Sequence, residues 1–319
     1  MKPTVFITRK LPDERVEPLR EKFNIRMWDS EDEAVPVDLL KKEAAEVDAL
    51  WTMLTDTSNS EMMDNAPNLK IIANMAVGFN NIDVQAAKEK GIIVTNTPDV
   101  LTETTADLAF ALLLSTARKM TSSEKELRGG GWHSWTPMGF TGMDVNGTTL
   151  GIIGMGRIGE AVARRAKGFN MRVIYHNRNR KENAEVRADF VANLDDLLHE
   201  ADHVLILAPL TEETEGMIGE RELALMKSTA TLISASRGGI VDEVALYEAL
   251  KNGTIWGAGL DVYKTEPVHV RHPLLTLPNV TAVPHIGSAT VQTRHAMMKL
   301  NAQAIIDVLE DREPANRVG

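Results

Sequence analysis

The chain has 319 residues, 43% hydrophobic and 25% charged, with a formal net charge of −10 and no cysteine. That length suits two domains of roughly 100–200 residues each, and the acidic balance argues against a nucleic-acid surface, which is normally basic. The missing cysteines exclude disulfides, thiolate metal sites and cysteine nucleophiles, and no run of about 18 apolar residues reads as a membrane span, so the expectation is a cytoplasmic protein with no membrane partner and no metal.

The first hundred residues alternate short apolar runs with helical patterns. Strands are expected over 4–8, 25–28, 49–53, 69–74 and 92–95, and helices over 13–23, 37–45, 60–65 and 83–90. Strands that alternate with helices pair in parallel and give a doubly wound α/β sheet. From Thr102 the pattern changes. Residues 108–120 are nearly all apolar and read as one long buried helix. Residues 128–137 follow, irregular and rich in glycine, with Trp132 and Trp135. Glycine invites mobility and tryptophan favours burial. The loop therefore either packs back on its own domain or reaches a partner subunit or a substrate mouth, where aromatic residues are enriched.

Residues 148–153 are apolar and β-branched, and they run into Gly154-x-Gly156-x-x-Gly159. Past the turn, Ile158, Val162 and Ala166 recur at helical spacing, and Arg164, Arg165 and Lys167 gather before Gly168. Cations in a last turn with a glycine beyond it mark a helix C-terminus. Strand, glycine turn and helix together make the motif a dinucleotide fingerprint. One glycine makes the tight turn, one lets a diphosphate approach, and one packs helix on strand. The diphosphate sits on backbone N–H groups where the helix opens, at Arg157 and Ile158.

The next strand, 171–175, ends in Tyr175-His176-Asn177-Arg178-Asn179-Arg180-Lys181. An NAD enzyme usually carries an acid there to bond the ribose hydroxyls. Here there is none, and three cations fall within four residues. A solvated basic turn is one reading. The other is a 2′-phosphate held by Arg178 and Arg180 with Asn177 and Asn179 beside them, so NADP(H) is expected to be preferred and NAD(H) to remain usable. Further strands are expected over 204–208, 231–235, 256–262 and 280–283, with helices over 193–200, 220–226 and 242–250. A last helix, about 288–310, is expected to return to the first domain. The division expected is 1–99 with 287–319, and 100–286.

Three polar clusters lie just past strand ends, where open α/β sheets bind ligands. They are Ser234–Asp242 with Arg237 between glycines, Gly259–Pro267 with Asp261 and Glu266, and Val283–Ser288 with His285. An arginine offers a planar fork to a carboxylate, and histidine is the usual general acid–base near neutral pH.

With these motifs the sequence resembles the D-isomer-specific 2-hydroxyacid dehydrogenases over nearly its whole length. The resemblance rests on Gly154–Gly159, Ser236-Arg237-Gly238, Gly259-Leu260-Asp261-Val262, Glu266-Pro267 and Pro284–Thr290. Residues 76–83 and 97–102 and the Trp132–Trp135 loop are most like the glyoxylate/hydroxypyruvate reductases of that family. The resemblance implies a Rossmann dinucleotide domain and a flavodoxin-like substrate domain. It implies a triad of Arg237, Glu266 and His285, with Arg237 gripping a small 2-keto acid, His285 delivering a proton and Glu266 holding His285. It also implies that the amides of Val77 and Gly78 hold the substrate carboxylate. Asp261 meets the nicotinamide carboxamide, and Pro209, Thr214, Ala235, Ser236 and Gly287 line the cofactor cleft. A homodimer is expected, with Trp135 closing the partner's pocket. The rivals are a 2-ketogluconate reductase or another D-2-hydroxyacid dehydrogenase, and a non-catalytic, dinucleotide-sensing protein like the related corepressors.

Overall fold

A computed structural model describes residues 2–182 and 186–319. The chain divides into two compact units, Met1–Leu101 with Ala289–Gly319, and Thr102–Ser288.

The first unit opens with β1 (Thr4–Ile7), α1 (Asp13–Arg20), β2 (Asn24–Met27), α2 (Val37–Ala44), β3 (Ala49–Thr52), α3 (Ser60–Asp64), β4 (Ile71–Asn74), α4 (Val84–Glu89) and β5 (Ile93–Thr95). In the second unit come α5 (Thr102–Ala117), α6 (Met120–Arg128), β6 (Thr149–Ile153), α7 (Arg157–Lys167), β7 (Arg172–His176), β8 (Asp189–Phe190), α8 (Leu194–Glu200), β9 (His203–Ile206), α9 (Glu220–Leu225), β10 (Thr231–Ser234), α10 (Glu243–Lys251), β11 (Gly257–Leu260) and β12 (Val280–Ala282). The chain then returns to the first unit with α11 (Val291–Leu309) and β13 (Arg317–Val318).

In the first sheet the order is β13-β5-β4-β3-β1-β2. Leaving out β13, this is the flavodoxin order, with its switch point between β1 and β3. Strands β3 and β4 are buried at every position. Helices cover both faces of such a sheet, so its central strands read as continuous apolar runs rather than alternating ones. β13 is antiparallel to β5, with Arg317 opposite Thr95. This two-residue edge strand carries no sequence period and was not expected. α11 packs on β4, and Asn301 Nδ2 donates to Ala73 O at 3.1 Å.

In the second sheet the order is β12-β11-β10-β9-β6-β7-β8, parallel throughout. The Rossmann switch point falls between β6 and β9, directly past the glycine turn. The helix expected over 108–120 is instead two helices. α5 starts six residues earlier, at Thr102, and Lys119 breaks the run at φ 52° before α6. Its first turns escape an apolar-run reading because they carry Glu103 and Asp107. Those charges face α7, where Arg165 Nε donates to Asp107 Oδ1 at 2.7 Å. The buried side of α5 lies on β11, and a Cβ on Gly259 would come 2.7 Å from Thr116 Oγ1. That close approach explains a strand of sequence Gly-Ala-Gly-Leu. Among the described residues no helix is long and apolar enough to cross a membrane.

Candidate active site

The glycine turn at the end of β6 divides its labour among three positions. Gly154 has φ +101°, and a Cβ there would enter the backbone of Leu207 and Ala208. Only glycine fits both demands. At Gly159 a Cβ would stand 2.9 Å from Gly154 O, so this glycine sets how closely α7 packs on the turn. At Gly156 a Cβ would meet nothing within 4 Å. Gly156 is also the N-cap of α7 and gives it no side-chain cap. The open face and the uncapped first turn, at Arg157 and Ile158, fit a diphosphate.

The basic turn after β7 is braced from inside. Asn177 Oδ1 accepts from Met155 N at 2.7 Å, so this side chain stitches the basic turn to the glycine turn. Lys181 N donates to Tyr175 Oη at 3.1 Å, and Lys181 Nζ pairs with the well-buried Glu160 at 2.6 Å. Lys181 is thereby neutralised, whereas Arg178, Asn179 and Arg180 are exposed. Glu213, which the sequence reading passed over, belongs to this surface. The Thr211 hydroxyl holds its carboxyl below the ordinary value, and the charge of Arg178 adds to the effect. Thr214 closes the loop past β9, its hydroxyl donating to Pro209 O at 2.7 Å and accepting from Thr211 N at 2.8 Å. Past β10, Ala235 is buried, and Ser236 Oγ is buried with no hydrogen-bond partner among the described residues. An orphaned buried hydroxyl in a strand-end loop of this sheet fits a polar ligand group.

Arg237 follows. Its Nη1 donates to Ser236 O at 2.8 Å, and burial lowers the guanidinium's affinity for its proton against the opposing pull of Glu266. The next residue fixes its place. A Cβ on Gly238 would be driven into the carbonyl of Tyr263, so the arginine loop and the loop past β11 meet backbone to backbone. On that second loop Glu266 is held at both oxygens. Oε1 accepts from Tyr263 N at 2.9 Å and Oε2 lies 2.6 Å from His285 Nδ1. Burial pushes the Glu266 carboxyl up, but the bond and charge of His285, the Tyr263 N–H and Arg237 together hold it below the ordinary value. Glu266 is therefore an acceptor, His285 Nδ1 must donate, and Nε2 is the ring nitrogen left for chemistry.

His285 itself sits past β12 at φ 52°. Asp261 anchors its loop. This side chain is 1% exposed, Oδ1 accepts from Ile286 N at 2.6 Å and Oδ2 from Gly287 N at 2.9 Å. Burial pushes the Asp261 carboxyl up. Both of its oxygens thus already serve the His285 loop. Tyr263 ties the same loop from the other side, Oη donating to Val283 O at 3.1 Å. Glu243 at the start of α10 accepts from Lys264 N at 2.7 Å and lies 3.2 Å from His272 Nε2. Gly238, inside the Ser236-Arg237-Gly238 motif, Tyr263 and Glu243 hold the triad loops in place, and no local motif announces the holding role.

Three assigned positions, Val77, Gly78 and Trp135, lie outside these loops. Val77 and Gly78 occupy the loop past β4 in the first unit. Trp135 is 78% exposed and Trp132 55%, so the tryptophan loop does not pack back on its own domain.

Comparison with known proteins shows the family. Residues 110–287 match the model of the D-isomer specific 2-hydroxyacid dehydrogenase NAD binding domain. The glyoxylate reductase of Thermococcus gammatolerans is 51% identical over 312 residues, covering 96% of this chain and 92% of that protein. The crystal structure of the TT0316 protein from Thermus thermophilus superposes with a TM-score of 0.92 at 43% identity, covering 99% of this chain and all of that one. An NADPH-dependent glyoxylate/hydroxypyruvate reductase from Sinorhizobium meliloti, solved with NADP and malonate, gives a TM-score of 0.88 at 34% identity over 100% of this chain and 97% of its own. By sequence, fold and strand-end loops alike, this chain belongs to the D-isomer specific 2-hydroxyacid dehydrogenases.

Proposed function

We propose that this NAD(P)-dependent dehydrogenase reduces glyoxylate and hydroxypyruvate to the corresponding 2-hydroxy acids, with NADPH preferred over NADH. The observation that carries the proposal is the 2.6 Å Glu266–His285 pair, with the Glu266 loop packed against the one bearing Arg237. The names of relatives support the substrate, since a 51% identical protein is called glyoxylate reductase. The exposed Arg178 and Arg180 support the cofactor preference, as does the S. meliloti reductase.

Bound reduced nicotinamide supplies the hydride for the carbonyl carbon. Arg237 binds the keto acid, orients it and stabilises charge on the carbonyl oxygen. His285 gives that oxygen its proton from Nε2, so a hydride on carbon and a proton on oxygen turn the carbonyl into the alcohol. Glu266 fixes the tautomer and ring orientation that aim Nε2 outward. The amides of Val77 and Gly78 are assigned to the substrate carboxylate on the family resemblance. Asp261, Pro209, Thr214, Ala235, Ser236 and Gly287 are assigned to the cofactor on the same ground. A homodimer formed through the tryptophan loop completes the proposal.

The test is the fall in NADPH absorbance with a panel of glyoxylate, hydroxypyruvate, pyruvate and 2-ketogluconate. Highest kcat/KM on the two- and three-carbon acids, with NADPH ahead of NADH, is the expected result. Preference for 2-ketogluconate would make the chain a sugar-acid reductase. No turnover of any keto acid, with dinucleotide still bound, would leave a non-catalytic sensor.

A further inference from the structure

The loop past β4 arranges its backbone in an unusual way. Four successive carbonyls are each taken up by a donor of the first unit. Ala76 O accepts from Thr97 N at 2.8 Å, Val77 O from Asn96 Nδ2 at 2.8 Å, Gly78 O from Asn74 Nδ2 at 3.1 Å and Phe79 O from Ile82 N at 3.0 Å. The N–H groups of Val77, Gly78 and Phe79 have no hydrogen-bond partner among the described residues. Val77 and Gly78 are only half-buried and Phe79 is exposed. A carbonyl drawn to one side turns the adjoining peptide N–H to the other, because the peptide unit is planar and trans. Consecutive N–H groups presented this way form a concave site for an anion.

Two of the four donors are side chains, and both are braced. Asn74 is fully buried, and its Oδ1 accepts from Thr52 Oγ1 at 3.2 Å. Asn96 is pinned by its backbone, its N donating to Asn316 O at 3.3 Å and its O accepting from Asn316 Nδ2. Neither asparagine needs to touch a ligand to matter. Each holds a carbonyl that, released, lets its peptide rotate and spoil the row of donors.

We infer that Asn96 and Asn74 are positioning residues: Asn96, holding Val77 O, sets the carboxylate-binding amide of Gly78, and Asn74, holding Gly78 O, sets the Phe79 amide next to it, and together they set the affinity for the keto acid. The inference rests on the assignment of the Val77 and Gly78 amides to the substrate carboxylate. The consequence is a split in the kinetics. Asn74→Ala and Asn96→Ala weaken ground-state and transition-state binding of the carboxylate alike, so the loss appears in KM. The reacting carbonyl, Arg237 and His285 are untouched.

The experiment measures KM and kcat for glyoxylate, Ki for oxalate and the dissociation constant of NADPH in wild type, Asn74→Ala, Asn96→Ala and Asn301→Ala. Asn301 also donates to a carbonyl of β4, that of Ala73, but not to the loop. The expected result is a rise of about tenfold in KM and in Ki for both loop variants, the order of one lost hydrogen bond to a charged group. Their kcat stays within about threefold and their NADPH affinity is unchanged. Asn301→Ala loses thermal stability with KM unchanged. If Asn74→Ala does not fold, the half-buried Asn96 carries the test. Unchanged KM and Ki, a loss confined to kcat, or an equal rise in KM from Asn301→Ala would each overturn the inference. A wild type that neither reduces glyoxylate nor binds oxalate overturns the parent assignment instead.

Discussion

His285 and Glu266 share one proton-handling task, and the direction of each effect follows from their bond. Keto acid reduction needs a proton delivered to the carbonyl oxygen from Nε2 of His285. Glu266 is ionised because its carboxyl is held below the ordinary value, so it accepts from Nδ1 and fixes the ring. Glu266→Gln should reduce kcat at neutral pH with NADPH binding intact; an unchanged kcat would show that the carboxylate is not needed to aim Nε2. For stability the sign is that of a depressed acid. The pair's contribution is present above the unfolded carboxylate value and is lost as pH falls through the lower folded value. His285→Ala should lower kcat by roughly 10²–10⁴ with NADPH binding intact, and retention of half the activity would remove His285 from the mechanism. Arg178 acts on the other half of the reaction. An exposed guanidinium can make paired bonds to a 2′-phosphate, so Arg178→Ala should raise KM for NADPH by about tenfold. KM for NADH should stay put; equal weakening of both cofactors would reduce the basic turn to solvated surface.

The glycine turn shows how one element serves fold and ligand at once. Gly154 and Gly159 face protein, and Gly156 faces open space. Gly154→Ala forces a side chain into backbone at a positive φ and should cost the fold roughly 1–3 kcal/mol or more, read as a lowered Tm. Gly156→Ala should leave Tm unchanged while weakening NADPH, because its methyl group meets only the approaching diphosphate. A stable Gly154→Ala, or a Gly156→Ala with full NADPH affinity, would reverse these roles. Elements of this kind were legible in the sequence because their signals are local. A buried parallel strand is an apolar run, as in β3, β4 and β10, and a glycine turn names its own neighbours. β8 and β13 were not legible, since two-residue edge strands have no period. α6 was missed because no residue in it is buried, which leaves no apolar stripe to count. The site divides the same way. Arg237, Glu266 and His285 stand in strand-end loops that the alternation of elements predicts. Tyr263, Glu243 and Asn96 act through contacts between loops distant in sequence, and no spacing encodes those; Gly238 stands in a quoted motif, but its fit against Tyr263 shows only in the fold.

At the scale of the molecule, one surface is out of character for a chain so acidic. From α6 to the end of the tryptophan loop, Met120, Leu127, Trp132, Trp135, Met138 and Phe140 are all exposed. The glycines cannot explain them, since a flexible loop does not need tryptophan. Scattered apolar residues on a surface are ordinary, but six within residues 120–140, two of them tryptophan, are what an interaction site requires. A second copy of the chain is the partner that the proposed function assigns. The proposed two-fold pairing uses the same patch on both subunits, with Trp135 of each lent to the other's pocket. Two measurements separate the parts of this claim. Sedimentation at micromolar concentration should give a dimer, and a monomer there would refute the assembly. In the dimer, Trp135→Ala should relax the preference for two- and three-carbon keto acids, because a wall of the proposed pocket is gone. A Trp135→Ala protein that remains dimeric and keeps its substrate ranking would leave the loop as a fastening between subunits with no part in choosing the substrate.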